Sequence, residues 1–200
     1  MITTRLVCIS GFKQSMAKPN GIEKVWLSLR KHESPECRVS YKEWDTPWSD
    51  FAEHILRTGP SNPDKMRVCV FAYSWGCGYG SLELFKELKH RGFGVDSAVF
   101  ADPVYHRWYA PWRALWSPIV EPQVEVPDNV GEVWYYRQSE NKPAGHRVVP
   151  EKGNRVTVVH NPTFLSRTHE FMDEDPAFSD KCMEVASAAT EQDPDARGNR

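Results

Sequence analysis

A chain of 200 residues that is 40% hydrophobic and 26% charged has the length and apolar content of one core-forming domain, with no need of disulfides or metal to hold it together. Its formal net charge of -2, with no basic stripe on any candidate helix, excludes the electrostatic footprint of a nucleic-acid binder. The opening apolar run is too short for a signal peptide and no later stretch approaches membrane-spanning length, so a cytoplasmic protein without a transmembrane segment is expected.

Taken in chain order, Leu6 to Ile9 reads as a first strand that ends in Ser10-Gly11. After the breaker Pro19-Asn20-Gly21, the residues Ile22, Val25, Trp26 and Leu29 recur at helical spacing. Arg38 to Trp44 alternates as a strand does, and Phe51, Ile55 and Leu56 mark a short helix that closes before Gly59-Pro60. Arg67 to Tyr73 is an apolar run broken sharply at Ser74. Leu82, Phe85 and Leu88 then give a helix its buried stripe, stopped at Gly92. Asp96 to Ala101 is a further strand, ending in Asp102-Pro103.

Residues 105 to 122 differ in character, with Trp108, Trp112 and Trp116 spaced four apart among tyrosines and prolines. On a helix they would share one broad apolar face, suited equally to core packing and to a lid or acyl-binding wall, with contact to a membrane surface or protein partner as the alternative for an exposed face. Val130 to Arg137 and Arg155 to His160 read as the last two strands, and Pro176 to Ala189 as a closing helix. Strands alternating with helices predict an α/β domain over residues 1–189, a three-layer α/β/α sandwich with a mainly parallel sheet. The polar stretch 190–200 is expected to be disordered. Of the five cysteines, Cys8 and Cys69 fall in strand-like runs and suit buried free thiols; Cys37 and Cys182 carry no signal of their own. No histidine and cysteine cluster has zinc-ligand spacing, so no metal is expected.

The segment Ala72-Tyr73-Ser74-Trp75-Gly76 sits where a strand turns abruptly into a helix, and it resembles the nucleophile elbow of the α/β-hydrolase superfamily, usually Gly-x-Ser-x-Gly. Ala72 replaces the first glycine and keeps that position small, as the strained turn demands. The resemblance implies an α/β-hydrolase-like fold and a serine nucleophile at Ser74, followed in the chain by an acid and a histidine. Asp102 fits the acid, since Asp-Pro after the next strand resembles the lipase subset of the family; Glu140, in the loop after Val130 to Arg137, is the rival, and Asp128 precedes its strand. His169, between the last strand and the final helix, fits the histidine, with His160 as the alternative.

The resemblance further places oxyanion donors at the backbone N–H of Trp75 and, in the loop after the first strand, of Phe12. Trp108, Trp112 and Tyr73 are the candidate substrate contacts. No large cap domain separates acid from histidine, so an open site taking a small-molecule or lipid-like acyl ester is expected, with no cofactor. Two other functions share this sequence: a catalytically silent binding protein that uses the Trp108 to Trp116 segment, and an acyltransferase or thioesterase with the same nucleophilic machinery.

Overall fold

The computed structural model describes residues 2–12, 14, 20–105 and 122–191. The Trp108, Trp112 and Trp116 segment and residues 192–200 lie outside them. Among the described residues no helix is long and apolar enough to cross a membrane.

The element order is β1 (Thr3–Ile9), α1 (Gly21–Leu29), β2 (Cys37–Lys42), α2 (Trp48–Arg57), β3 (Met66–Tyr73), α3 (Ser81–His90), β4 (Val95–Ala101), β5 (Gln123–Val126), β6 (Val130–Arg137), β7 (Arg147–Pro150), β8 (Val158–Val159), β9 (Thr163–Phe164) and α4 (Pro176–Glu191). The main sheet runs in the order β2-β1-β3-β4-β6-β8, with β9 also on β6, and every one of these pairings is parallel. This is the mainly parallel α/β architecture that the alternation of strands and helices predicts.

Alternation along the strands sorts the core into two layers. On β1, Leu6 and Cys8 face α1 and α4, where they meet Ile22, Val25, Leu29, Phe178 and Cys182. Val7 and Ile9 face α2 and α3, against Phe51, Ile55, Leu82 and Phe85. Because β3 lies mid-sheet, all eight of its residues are buried, which is why it reads in sequence as a continuous apolar run and not as an alternating one. Phe71 on β3 and Phe100 on β4 are fully buried; truncating either to alanine should cost about 3–5 kcal/mol. Helix α1 begins where Asn20 Oδ1 accepts the Glu23 N–H at 2.8 Å, the side-chain cap that its Pro-Asn-Gly prelude suggests. All five cysteines are free and buried.

Three features depart from expectation. The last strand is not Arg155 to His160: only Val158 and Val159 join the ladder, because Asn154 Oδ1 takes the N–H groups of Val156 and Thr157 at 3.0 and 3.1 Å into a local turn. The strands β5 and β7 have no counterpart in the sequence reading; they form a separate parallel pair whose Val124, Val126 and Val148 complete the core on the α3 face. Helix α4 runs to Glu191, two positions beyond the predicted Ala189.

Candidate active site

In a parallel sheet all strands deliver their following loops to one edge, so the loops after β1, β3, β4 and β6 converge there. At the end of β3 the chain enters Ser74 with φ of +52°, a left-handed conformation costing about 1–3 kcal/mol in a non-glycine residue. Backbone hydrogen bonds hold it in place: the Ser74 N–H donates to Ala101 O at 2.9 Å, and Ser74 O accepts the N–H groups of Cys77 and Val104, each at 3.1 Å. The chain continues through a π-helical turn, Gly76–Gly80, into α3. Gly76 is small by necessity, since a Cβ there would come within 2.5 Å of Ser10 O and 2.8 Å of Ile9 O. The predicted strand, tight turn and helix are therefore all present, with the extra tightness supplied by β1 packing directly under the turn.

At the end of β4, Asp102 is the second described non-glycine residue with positive φ, +44°. Its side chain is fully buried. Oδ1 accepts the Gln138 N–H at 3.2 Å, and Oδ2 accepts Gln138 Nε2 at 3.0 Å and His169 Nδ1 at 2.6 Å. An ionised carboxylate only accepts, so Nδ1 carries the imidazole proton and Nε2 is left as acceptor. Nε2 lies 2.9 Å from Ser74 Oγ. Ser74, His169 and Asp102, separated by up to 95 positions in the chain, thus form one hydrogen-bonded row. The row lies at one edge of the parallel main sheet.

The rival residues lie elsewhere. Glu140 is exposed, and its backbone N–H is bonded to Gln138 Oε1 at 2.7 Å. His160 stacks on Trp134 with ring centroids 4.6 Å apart and approaches Glu132 at 3.3 Å. Asp128 pairs with Lys89 at 2.6 Å, before β6 and at the other end of the sheet.

His169 opens a short 3-10 helix, His169–Glu174, that leads into α4. Two side chains fix its backbone. Tyr73 Oη donates to His169 O at 2.7 Å, and the His169 N–H donates to Asn141 Oδ1, also at 2.7 Å. Burial holds the Tyr73 phenol well above its ordinary pKa, so it remains a donor. Tyr73, expected as a substrate contact, does line the cleft, but its hydroxyl is committed to the histidine loop.

A cleft of about 440 Å³ opens over Ser74 and His169, walled by Phe12, Tyr73, Trp75, Val104 and Pro143, with Gln14 and Glu170 supplying polar groups. The two residues expected to donate to an oxyanion, Phe12 and Trp75, both line it, with their rings edge to face at 4.9 Å. Trp44 stacks on Trp75 at 4.8 Å, extending the aromatic wall. Hydrogen bonds from its own backbone N–H, from Thr168 and from Asn141 hold the Glu170 carboxyl below the ordinary glutamate range. The expected contacts Trp108 and Trp112 lie outside the described residues. Among those described, no group of three histidine, cysteine or acidic side chains could hold a metal ion.

Sequence reasoning missed the support around these residues. Gln138 is almost fully buried. Besides its bonds to Asp102, its Nε2 reaches Asn141 O and Pro143 O at 3.1 and 2.9 Å, and its Oε1 takes the N–H groups of Glu140 and Asn141. Its one signal in the sequence is its place just after a strand in the loop that also holds Glu140. Asn141, Gln14 and Asp173 have none.

No protein-family model and no curated protein matches the chain. Among solved structures, similar ones include the RedJ thioesterase from the prodiginine biosynthetic pathway in Streptomyces coelicolor, with a TM-score of 0.49 and 10% identity over 93% of this chain and 85% of that one. A hormone-sensitive lipase from a metagenome library is similar with a TM-score of 0.45 and 13% identity, over 94% of this chain and 77% of that one.

Proposed function

We propose that the protein is a serine-dependent carboxylic ester hydrolase acting through an acyl-enzyme on Ser74. One observation carries the reading: Ser74 Oγ sits 2.9 Å from His169 Nε2 while His169 Nδ1 is held 2.6 Å from the buried Asp102. A serine hydroxyl at its ordinary pKa is a weak nucleophile, and this arrangement gives its proton a destination as the oxygen attacks. Ser74 Oγ bonds to the acyl carbon, His169 Nε2 takes the proton, and Asp102 steadies the imidazolium. The carbonyl oxygen, now an anion, accepts hydrogen bonds from the N–H groups of Trp75 and Phe12. Collapse expels the alcohol, protonated by His169; water then attacks the acyl-enzyme with His169 again as base, releasing the acid and restoring Ser74.

The cleft supports a substrate class. Its aromatic and aliphatic walls favour an apolar group beside the ester, and the ionised Glu170 at the mouth, with no lysine or arginine among the described lining residues, disfavours substrates bearing a carboxylate or phosphate. The reading is tested with a fluorophosphonate probe on the wild-type chain, Ser74→Ala and His169→Ala. Stoichiometric labelling that vanishes in Ser74→Ala and falls steeply in His169→Ala supports it; a folded wild-type protein that does not label refutes it.

A further inference from the structure

An oxyanion donor is useful only if it is held still, and Phe12 lies in a loop after β1 that belongs to no regular element. What fixes that loop is a side-chain relay from the far side of the site. Gln14 Oε1 accepts the Gly11 N–H at 2.8 Å, and Gln14 Nε2 donates to Asp173 Oδ2 at 2.7 Å. The same Oδ2 accepts the Ile22 N–H at 2.9 Å, tying the carboxylate to the first turn of α1. Asp173 is 1% exposed and follows His169 in the same short helix.

With an N–H on one side and a carboxylate on the other, the Gln14 carboxamide has a single consistent orientation. It thereby links three pieces of chain: the loop after β1, the start of α1 and the segment carrying His169. Gly11 is itself pressed against the elbow, since a Cβ there would lie 2.7 Å from the Tyr73 ring and 3.0 Å from Ser74 Cβ. The Gln14 N–H in turn donates to Gly11 O at 3.4 Å, an atom of the same peptide that carries the N–H of Phe12, so Gln14 holds the peptides on both sides of Gly11 relative to Ser74.

We infer that Gln14, anchored by Asp173, is a positioning residue that sets the oxyanion-binding loop against the nucleophile. The inference rests on the hydrolase reading above. Its chemistry makes a distinctive prediction for Gln14→Glu. That variant keeps an acceptor for the Gly11 N–H but sets a second carboxylate against Asp173, and two such groups in contact favour sharing one proton. As pH falls, the protonated Glu side chain regains a donor for Asp173 and the relay re-forms.

The test measures kcat and KM for a neutral ester, and the affinity of a boronic acid that forms a tetrahedral adduct on serine, for wild type, Gln14→Met and Gln14→Glu across pH 5–8. Denaturation midpoints confirm that each variant is folded. Expected are a loss in kcat of about 10–100-fold in Gln14→Met, somewhat less than deletion of a whole oxyanion donor, a parallel loss in boronate affinity, and little change in KM. For Gln14→Glu, activity relative to wild type should climb as pH falls, while the Gln14→Met ratio stays flat. A rise in KM with kcat intact would make Gln14 a substrate contact and overturn the inference, as would a pH-independent ratio for Gln14→Glu. If wild type neither labels with fluorophosphonate nor turns over an ester, it is the hydrolase reading that fails.

Discussion

The sharpest mechanical test of the site is Gly145→Ala, a change in a loop residue that neither touches the cleft nor titrates. A Cβ at Gly145 would overlap Asp102 Oδ1 and lie 2.9 Å from its Cγ and 3.0 Å from its Cα. Ordinary contact between a methyl group and a carboxylate needs about 3.4 Å or more, so the carboxylate or the Gly145 backbone must shift by on the order of 1 Å. Neither is free to do so. Gly145 O accepts Arg137 Nε at 2.7 Å and the His146 N–H bonds Pro103 O at 2.6 Å, while Asp102 is gripped by Gln138 and His169. Overpacking of this kind costs about 1–3 kcal/mol in stability. On the proposed mechanism, in which Asp102 orients His169, a displacement of that size is expected to cost about 100-fold in rate. The assay pairs ester hydrolysis and fluorophosphonate labelling rate with urea denaturation. A folded Gly145→Ala protein within threefold of wild type in kcat would refute the claim that Asp102 must occupy this position.

Other consequences are as direct. Gln138→Leu removes a carboxamide that serves two carbonyls, two N–H groups and Asp102; it should lower stability by about 2–4 kcal/mol, read from denaturant midpoints, and a loss under 1 kcal/mol would contradict its structural role. Burial raises the Asp173 carboxyl above its ordinary value of 3.8, so the native state holds that proton more tightly than the unfolded chain. The resulting penalty is absent below 3.8, grows as pH rises toward the native value and is complete above it. The stability of wild type relative to Asp173→Asn should therefore improve when pH is lowered from 7 to 4, and a difference that is flat or moves the opposite way in urea titrations would count against it. Glu170→Lys reverses the charge at the cleft mouth and should raise kcat/KM for esters carrying a carboxylate relative to neutral ones; unchanged selectivity would show that Glu170 does not screen substrates.

How much of this was legible in the sequence depends on the range of the forces involved. The strand before Ser74 was readable because a mid-sheet strand must be apolar on both faces, and the turn was readable because Ala72 and Gly76 flank the serine with small residues, β1 leaving no room for a Cβ at Gly76. Helices α1, α2 and α3 announced themselves through the spacing of Ile22, Val25 and Leu29, of Phe51 and Ile55, and of Leu82, Phe85 and Leu88, since a helix buries one stripe whatever it packs against. Strands β5 and β7 did not, being four residues long and paired with each other across an intervening strand. The expected strand from Arg155 was mostly claimed by Asn154, whose side chain outcompetes the ladder for two N–H groups.

Local pattern thus determined the fold class and the strand, tight turn and helix around Ser74, and the resemblance carried by that turn implied a short set of acids and histidines. It left Asp102 and Glu140 both standing, because each follows a strand of a parallel sheet and is carried to the same edge. Only the tertiary structure separates them: the left-handed turn at Asp102 and the grip of Gln138 bring one carboxylate within 2.6 Å of His169, while Glu140 stays at the surface. The relay through Gln14 was equally out of reach, since Gln14 and Asp173 are 159 positions apart. Hydrogen bonds between loops leave no periodicity in a chain; they exist only once the sheet has brought those loops to one edge.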